Sequence, residues 1–182
     1  MSNIASRMQA AGFLRPDDPE HIDVLMFLMG EAELLDAHDL HGWLSMLTAD
    51  VVYQVPVQTT RLREDADHDA RRSFHSNDDR PSLEFRVKRI LESNSAWSEN
   101  PVSRTRRFVS NVRVRRGDAS DLQVSSYLLL LRSRHDRENY DMISAERRDT
   151  LVRNSVGDLE LRAREVTVDQ ARMGISPLPF PL

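Results

Sequence analysis

The side chains best suited to chemistry begin with a short polar cluster at residues 36–41. This cluster holds two aspartates and two histidines within six residues, a set that could bind a divalent metal ion. His38 and His41 lie on either side of a break in a helical pattern, whereas two ligands on one helical face usually lie four residues apart. We therefore favour the interpretation that Asp39 caps a helix and that its neighbours are solvated.

A second group of chemically capable side chains lies in residues 58–81, where charged residues predominate. This segment predicts a long polar loop, and loops of this length are often functional or are ordered by a partner. Such side chains are either solvated or matched to a charged surface on another chain. The histidines of this segment, with the carboxylates considered beside them, are His68, Asp69, His75, Asp78 and Asp79.

The sequence has no cysteine, which excludes thiolate nucleophiles, disulfides and cysteine-bound clusters for this chain. Any redox role must therefore belong to a partner. A pI near 5.9 argues against a nucleic-acid surface. The first 14 residues lack the apolar segment of a signal peptide, so we expect a cytoplasmic protein.

The elements that must position these side chains are helical at first and mostly strands afterwards. Apolar residues at steps of three and four predict a helix over residues 22–35, followed by a short helix over 41–47. Ser82 is the predicted N-cap of a third helix. β-branched and alternating segments predict strands over residues 51–57, 104–115, 122–134, 140–152 and 159–168.

This order of elements predicts an α+β fold in one domain, with a strongly curved, mixed or antiparallel sheet packed on the helices. Residues 1–19 are predicted as an N-terminal arm and residues 20–176 as the domain. The polar loop at 58–81 lies inside that domain. Residues 177–182 form an apolar, proline-rich tail.

The sequence contains two distinctive blocks, SRTRRFVSNV at residues 103–112 and ERRD at 146–149. Together with the supporting blocks given below, they resemble the β (small) subunit of bacterial aromatic-ring-hydroxylating dioxygenases, of the naphthalene and biphenyl dioxygenase type. The resemblance covers roughly residues 20–176. Supporting blocks are EAELLD at 31–36, WLSML at 43–47, DVVYQVP at 50–56, DD at 78–79, LEFRVKR at 83–89, AWSENP at 96–101, DQ at 169–170 and IS at 175–176.

The resemblance implies a cone-shaped fold of the nuclear-transport-factor-2-like (NTF2-like) kind. It implies a non-catalytic structural subunit in an assembly of three α and three β chains, without catalytic, cofactor or metal-binding residues in the β chain. The α subunit would hold a Rieske iron–sulfur cluster and a mononuclear non-haem iron. The complex would cis-dihydroxylate aromatic hydrocarbons with dioxygen, using electrons from NAD(P)H delivered by a reductase and a ferredoxin.

A dense group of arginines suggests where such a subunit meets its partners. Arg104, Arg106 and Arg107 flank Phe108 on a predicted strand, and guanidinium groups on an apolar sheet often meet carboxylates of another surface. We hypothesise that these arginines lie at a subunit interface with Trp97 as an aromatic anchor. Pairing within the chain, with Glu146 or Asp149, is the open alternative.

The alternative function is a stand-alone cone-fold isomerase or dehydratase with a polar cavity. Such enzymes place an acid–base pair in the interior of the cone. The side chains that would form this pair are His41, Asp50 and Tyr53. The arginine group and the long charged loop favour the subunit over the enzyme.

Overall fold

The structure is a computed structural model that describes residues 4–57, 74–92, 103–118, 120–133, 138–170 and 181–182. Trp97 and residues 58–73 therefore lie outside the described residues. The helices are α1 (Ile4–Ala10), α2 (Pro19–Asp36), α3 (Leu40–Ser45) and α4 (Arg80–Glu92). The strands are β1 (Leu47–Pro56), β2 (Phe74–Asp79), β3 (Arg104–Arg116), β4 (Leu122–Ser133), β5 (Tyr140–Arg153) and β6 (Leu159–Val168).

One six-stranded sheet carries the fold, with the strand order β2-β1-β6-β5-β4-β3. β1 and β6 run parallel, and the other neighbouring pairs are antiparallel. This mixed sheet with helices confirms the predicted α+β class. β4 alternates buried and exposed residues along its whole length, so its inner side chains, such as Leu128 and Leu130, pack into the core.

The helices begin where short acidic side chains satisfy their free amides. Asp18 accepts a hydrogen bond from the Glu20 amide at 3.0 Å, and Pro19 occupies the first turn of α2. Asp39 accepts from the Gly42 amide at 2.8 Å, which confirms the predicted cap of α3. α3 ends at Ser45, before the predicted residue 47, because Leu47 is already in β1.

The predicted N-cap of the third helix is wrong. Asp79 accepts hydrogen bonds from both the amide and the hydroxyl of Ser82, at 3.0 and 2.6 Å. α4 accordingly begins at Arg80, two residues before Ser82. The carboxylate is the stronger acceptor for the free amides of the first turn, and it is the cap here.

The predicted polar loop at 58–81 is also wrong over its described part. Phe74–Asp79 forms β2, which pairs antiparallel with β1. The inward-facing residues of β2 are Ser76 and Asp78, so the strand lacks the apolar alternation that would have revealed it. The predicted arm at 1–19 contains α1 and joins the sheet through a bridge between Phe13 and Arg115.

The core lies between the inner face of the sheet and helices α2, α3 and α4. α2 contributes Val24, Phe27, Leu28 and Leu35, while α3 contributes Trp43, which is fully buried. α2 packs mainly against β3, so the first long helix is held against the far edge of the sheet. In the described part of the chain, no helix is both long and apolar enough to cross a bilayer.

Candidate functional site

The interior of the fold contains four charged side chains, which we call the buried charge network. Glu31 comes from α2, Arg147 and Asp149 come from β5, and Arg164 comes from β6. Each is at most 2% exposed. Asp149 and Arg164 are direct cross-strand partners, so the sheet register itself brings this pair together.

Arg164 is the centre of the buried charge network. Its Nη1 and Nη2 donate to the two oxygens of Glu31 at 2.6 and 2.9 Å, and its Nε and Nη2 donate to the two oxygens of Asp149 at 2.8 Å each. Glu31 also accepts from Trp43 Nε1 at 3.2 Å and from Arg147 Nη1 at 3.3 Å. Two paired carboxylates thus surround one guanidinium, an arrangement of high geometric specificity.

The charges of this network compensate one another. Burial alone would raise the pKa of Glu31, but the neighbouring Arg164 and Arg147 outweigh it and lower that pKa to about 2. Burial lowers the pKa of Arg147, and the positive charge of Arg164 lowers it further. Glu31 is therefore ionised and firmly paired near neutral pH, whereas a general acid or base needs a pKa near the working pH. The network has the properties of a structural element.

The lowered pKa of Glu31 predicts a specific acid sensitivity. Because the pKa is lower in the folded state than its ordinary value of 4.5, Glu31 stabilises the fold above that value. This stabilisation, about 3 kcal/mol, is expected to be lost as the pH falls from about 4.5 towards 2. Urea unfolding of the wild type and of Glu31→Gln at a series of pH values measures it. If the free energy of unfolding changes with pH in the same way for the two proteins, Glu31 does not have a lowered pKa in the folded state.

Tyr53 and Leu182 are buried in the interior, next to the buried charge network. Tyr53 is fully buried, its ring packs edge-on against Trp43, and Arg164 lies 5.8 Å from its ring centroid. The Tyr53 hydroxyl donates to the Leu182 carbonyl and accepts from the Leu182 amide at 3.1 Å. Leu182 itself is 1% exposed. Residues 181–182 of the predicted tail are therefore inserted into the core, while 177–180 lie outside the described residues.

The residues considered for a stand-alone enzyme do not converge in the structure. Tyr53 points into the core, and burial raises the pKa of its hydroxyl. Asp50 is exposed and pairs with Arg162 at 3.2 Å, and His41 is exposed on α3. The predicted acid–base pair is not formed.

The metal interpretation of residues 36–41 has no geometric support. His38 places its Nε2 3.0 Å from the Ser103 carbonyl, while Asp36 contacts β3. Asp39 caps α3 as described above. Among the described residues, no group of three or more histidines and carboxylates is arranged to hold a metal ion.

The arginine group on β3 is divided between the two faces of the sheet. Arg107 points inward, is 3% exposed, and pairs with Asp36 Oδ1 at 2.7 Å. It also donates to the Pro181 carbonyl at 2.7 Å. Arg106 is 72% exposed and approaches Asp36 only to 3.8 Å, and Arg104 is exposed. Arg107 thus has an ion-pair partner within the chain, and its place at a subunit interface stays a prediction.

The carboxylates suggested for internal pairing also have other partners. Asp149 is held by Arg164, and Glu146 lies 3.7 Å from Arg113 and 3.5 Å from Arg148. The internal partner of the arginine group is Asp36, which also accepts from the Arg107 amide at 2.9 Å. Asp36, the last residue of α2, thus joins the helix to the backbone of β3 by a hydrogen bond.

The outer side of β3, β4 and β5 carries an exposed apolar surface that sequence analysis did not identify. Phe108 is 51% exposed and is paired in register with Leu129, while Leu131 faces Met142. Arg104 and Arg106 lie on the same side, two residues apart. We call this surface the outer sheet face, and its members are Arg104, Arg106, Phe108, Tyr127, Leu129, Leu131, Tyr140 and Met142.

Comparison with known proteins identifies the family. The sequence profile described as "Ring hydroxylating beta subunit" matches residues 30–174. The chain belongs to the ring-hydroxylating β subunit family. It is 35% identical over 187 residues to the benzene 1,2-dioxygenase subunit beta of Pseudomonas putida, covering 97% of this chain and 98% of that one. It is 33% identical to the biphenyl 2,3-dioxygenase subunit beta of Rhodococcus jostii, covering 91% and 90%.

Solved structures place this β subunit within the predicted fold. A chain of naphthalene 1,2-dioxygenase with indole bound in its active site superimposes with a TM-score of 0.83 at 23% identity, covering 98% of this chain and 94% of that one. ActVI-ORFA from Streptomyces coelicolor gives a TM-score of 0.60 at 20% identity, with 82% and 95% covered. The predicted NTF2-like cone is confirmed. Catalysis in this family lies in the α subunit.

Proposed function

We propose that this β subunit is the non-catalytic, structural component of a terminal oxygenase that cis-dihydroxylates aromatic hydrocarbons with dioxygen. The family match over residues 30–174 carries the proposal. The buried charge network supports it, because the interior of the cone is occupied by paired charges that hold α2 to β5 and β6. The chain stabilises and shapes the complex, while the partner performs the chemistry.

The proposed partner is a large α subunit that holds a Rieske cluster and a mononuclear non-haem iron. Rieske irons are bound by two cysteines and two histidines, and this sequence has no cysteine, so its residues do not fit the cluster. We propose three α and three β chains in a cytoplasmic complex, with electrons from NAD(P)H arriving through a reductase and a ferredoxin. The relatives named as β subunits of benzene and biphenyl dioxygenases support the proposed α-subunit partner.

Co-purification tests the proposed function. The tagged β subunit is produced in its native host and recovered under mild conditions, and the eluate is analysed by denaturing gel and by absorption spectroscopy. We expect a larger chain at equal molar ratio and the visible absorption of a Rieske cluster. A β subunit that elutes alone and converts a small ketone or alcohol would overturn the proposal.

We further propose that the outer sheet face contacts another subunit of the complex. Arg104 and Arg106 are exposed there, beside the exposed Phe108 ring. An aromatic side chain flanked by arginines is typical of the centre of a protein interface. Trp97 stays a proposed anchor of the same interface. Arg107 would contribute indirectly, because its contacts with Asp36 hold β3 against α2.

Replacing Arg106 by alanine is expected to weaken assembly without unfolding the chain. Arg106 is 72% exposed and its contact with Asp36 is long, so its loss costs the isolated chain little. We expect a tenfold or greater rise in the concentration at which the complex dissociates, measured by light scattering. Arg162→Ala, which removes an exposed arginine from a different part of the sheet, is the matched control. An intact complex with full activity for Arg106→Ala would refute the interface.

A further inference from the structure

Helix α2 presents a second exposed apolar surface, on its solvent side. Ile22, Met26 and Met29 are 47, 63 and 65% exposed and lie at positions i, i+4 and i+7 of the helix. Residues at this spacing form one continuous stripe. The solvent side of a helix in a lone globular protein is normally polar, and an apolar stripe indicates a contact. We call Ile22, Met26, Met29 and Glu33 the α2 stripe.

The charge of the α2 stripe is opposite to that of the outer sheet face. α2 contains no lysine or arginine, and Glu33 extends the stripe by one further turn. Glu33 is exposed, and among the described residues it forms no ion pair. The outer sheet face carries Arg104 and Arg106 at its edge, and Arg104 likewise has no ion-pair partner in the described ranges. Both surfaces thus have apolar centres and matching charges of opposite sign.

We propose that the outer sheet face of one copy of this β subunit packs against the α2 stripe of a second copy. The proposal rests on the proposed function and names the partner of the outer sheet face. Phe108 and the tyrosines of the face would meet Met26 and Met29, and thioether–aromatic contacts of this kind are favourable. Arg104 and Arg106 would lie next to Glu33 of the other copy.

The charges also argue against the simplest symmetric contacts. Two outer sheet faces packed on each other would bring Arg104 and Arg106 against the same arginines, and like charges at an interface are unfavourable. Two α2 stripes would bring Glu33 towards Glu33. The face-to-stripe contact avoids both.

A face-to-stripe contact has a consequence for symmetry. α2 covers the inner side of the sheet, so the two surfaces belong to opposite layers of the fold. Such a contact is heterologous: each copy uses one surface towards one neighbour and the other surface towards the next. Heterologous contacts close into rings when the rotation between copies allows it.

Cysteine cross-linking tests the contact directly, because the chain has no cysteine of its own. Met26→Cys and Leu129→Cys are introduced singly and together, and the co-purified complex is treated with a short bismaleimide. We expect β–β products from the double variant and from a mixture of the two single variants, but not from either single variant alone. Val156→Cys combined with Leu129→Cys is the control, since Val156 is 79% exposed in the turn between β5 and β6.

Every other pattern overturns the inference. Cross-links of a single variant with itself would show a symmetric contact, and products that join the β subunit only to the α subunit would assign the surfaces to that partner. Failure of the proposed function is distinguishable, because the chain would then elute without an iron-bearing subunit. β–β products from the chain alone would still support the inference, while an iron-containing complex that gives no β–β product would refute it.

Charge reversal provides a second, independent measurement on the intact complex. Arg106→Glu and Glu33→Arg are each expected to weaken assembly at least tenfold, since each places like charges opposite one another. The combined variant is expected to recover most of the loss. Both side chains are exposed, so the fold is kept. Additive losses in the combined variant would contradict the pairing of the two surfaces.

Discussion

Replacing Glu31 by glutamine is expected to lower the free energy of unfolding of this β subunit by about 3–5 kcal/mol. The substitution keeps the size of the side chain but removes the carboxylate that Arg164 and Arg147 share. Two guanidinium groups would then remain in the core with only Asp149 to compensate them. An uncompensated buried charge is among the most destabilising changes that a single substitution can make.

Urea unfolding followed by circular dichroism measures this effect at neutral pH. Asp50→Asn is the matched control, because it removes a carboxylate from an ion pair whose side chains are 50 and 65% exposed. We expect a change within about 1 kcal/mol for that control. Equal, small effects of the two substitutions would show that the buried charge network does not hold α2 to the sheet.

Replacing Phe108 by aspartate is expected to weaken assembly at least thirtyfold while leaving the chain folded. The Phe108 ring is 51% exposed on the edge strand β3, beside Leu129 of the outer sheet face, so the isolated chain tolerates a polar residue there. In the complex, the same residue would place a charge in an apolar contact. Loss of an aromatic anchor costs at least about 2 kcal/mol, so we expect a thirtyfold or greater loss of affinity.

Val156→Asp is the control for this second prediction. It adds the same charge at an apolar residue that is 79% exposed, in the turn that links β5 and β6 and away from the outer sheet face. Light scattering and pull-down of the α subunit give the assembly state of each variant. A complex of unchanged size with Phe108→Asp would mean that the outer sheet face stays in solvent.

The regular strands were predictable because their side chains alternate. β6 begins and ends at the predicted residues 159 and 168, and β3, β4 and β5 differ from prediction by one residue at one end. β2 was missed because its inward residues are Ser76 and Asp78, which resemble those of a loop. Its burial depends on Arg86, whose Nε donates to Asp78 at 3.0 Å, a contact that no local pattern reveals.

The functional surfaces were predicted only in part. The arginine group was found, and the period of two along β3 already separates Arg104 and Arg106 from Arg107. Its internal partner, Asp36, is 71 residues away from Arg107 in sequence, so it could not be identified before the fold was known. The buried charge network was missed for a similar reason, because charged residues are rarely fully buried and the sequence gives no sign of their partners.

Turnover per Rieske cluster of the purified complex tests the central claim most directly. That claim is that this β subunit supplies architecture and that its partner supplies the chemistry. Of the three side chains considered for a stand-alone enzyme, Tyr53 is the one that lies in the interior, so Tyr53→Phe is the decisive variant. We predict turnover within twofold of wild type at equal cluster content. A hundredfold loss in a complex that retains its full cluster content would contradict the account.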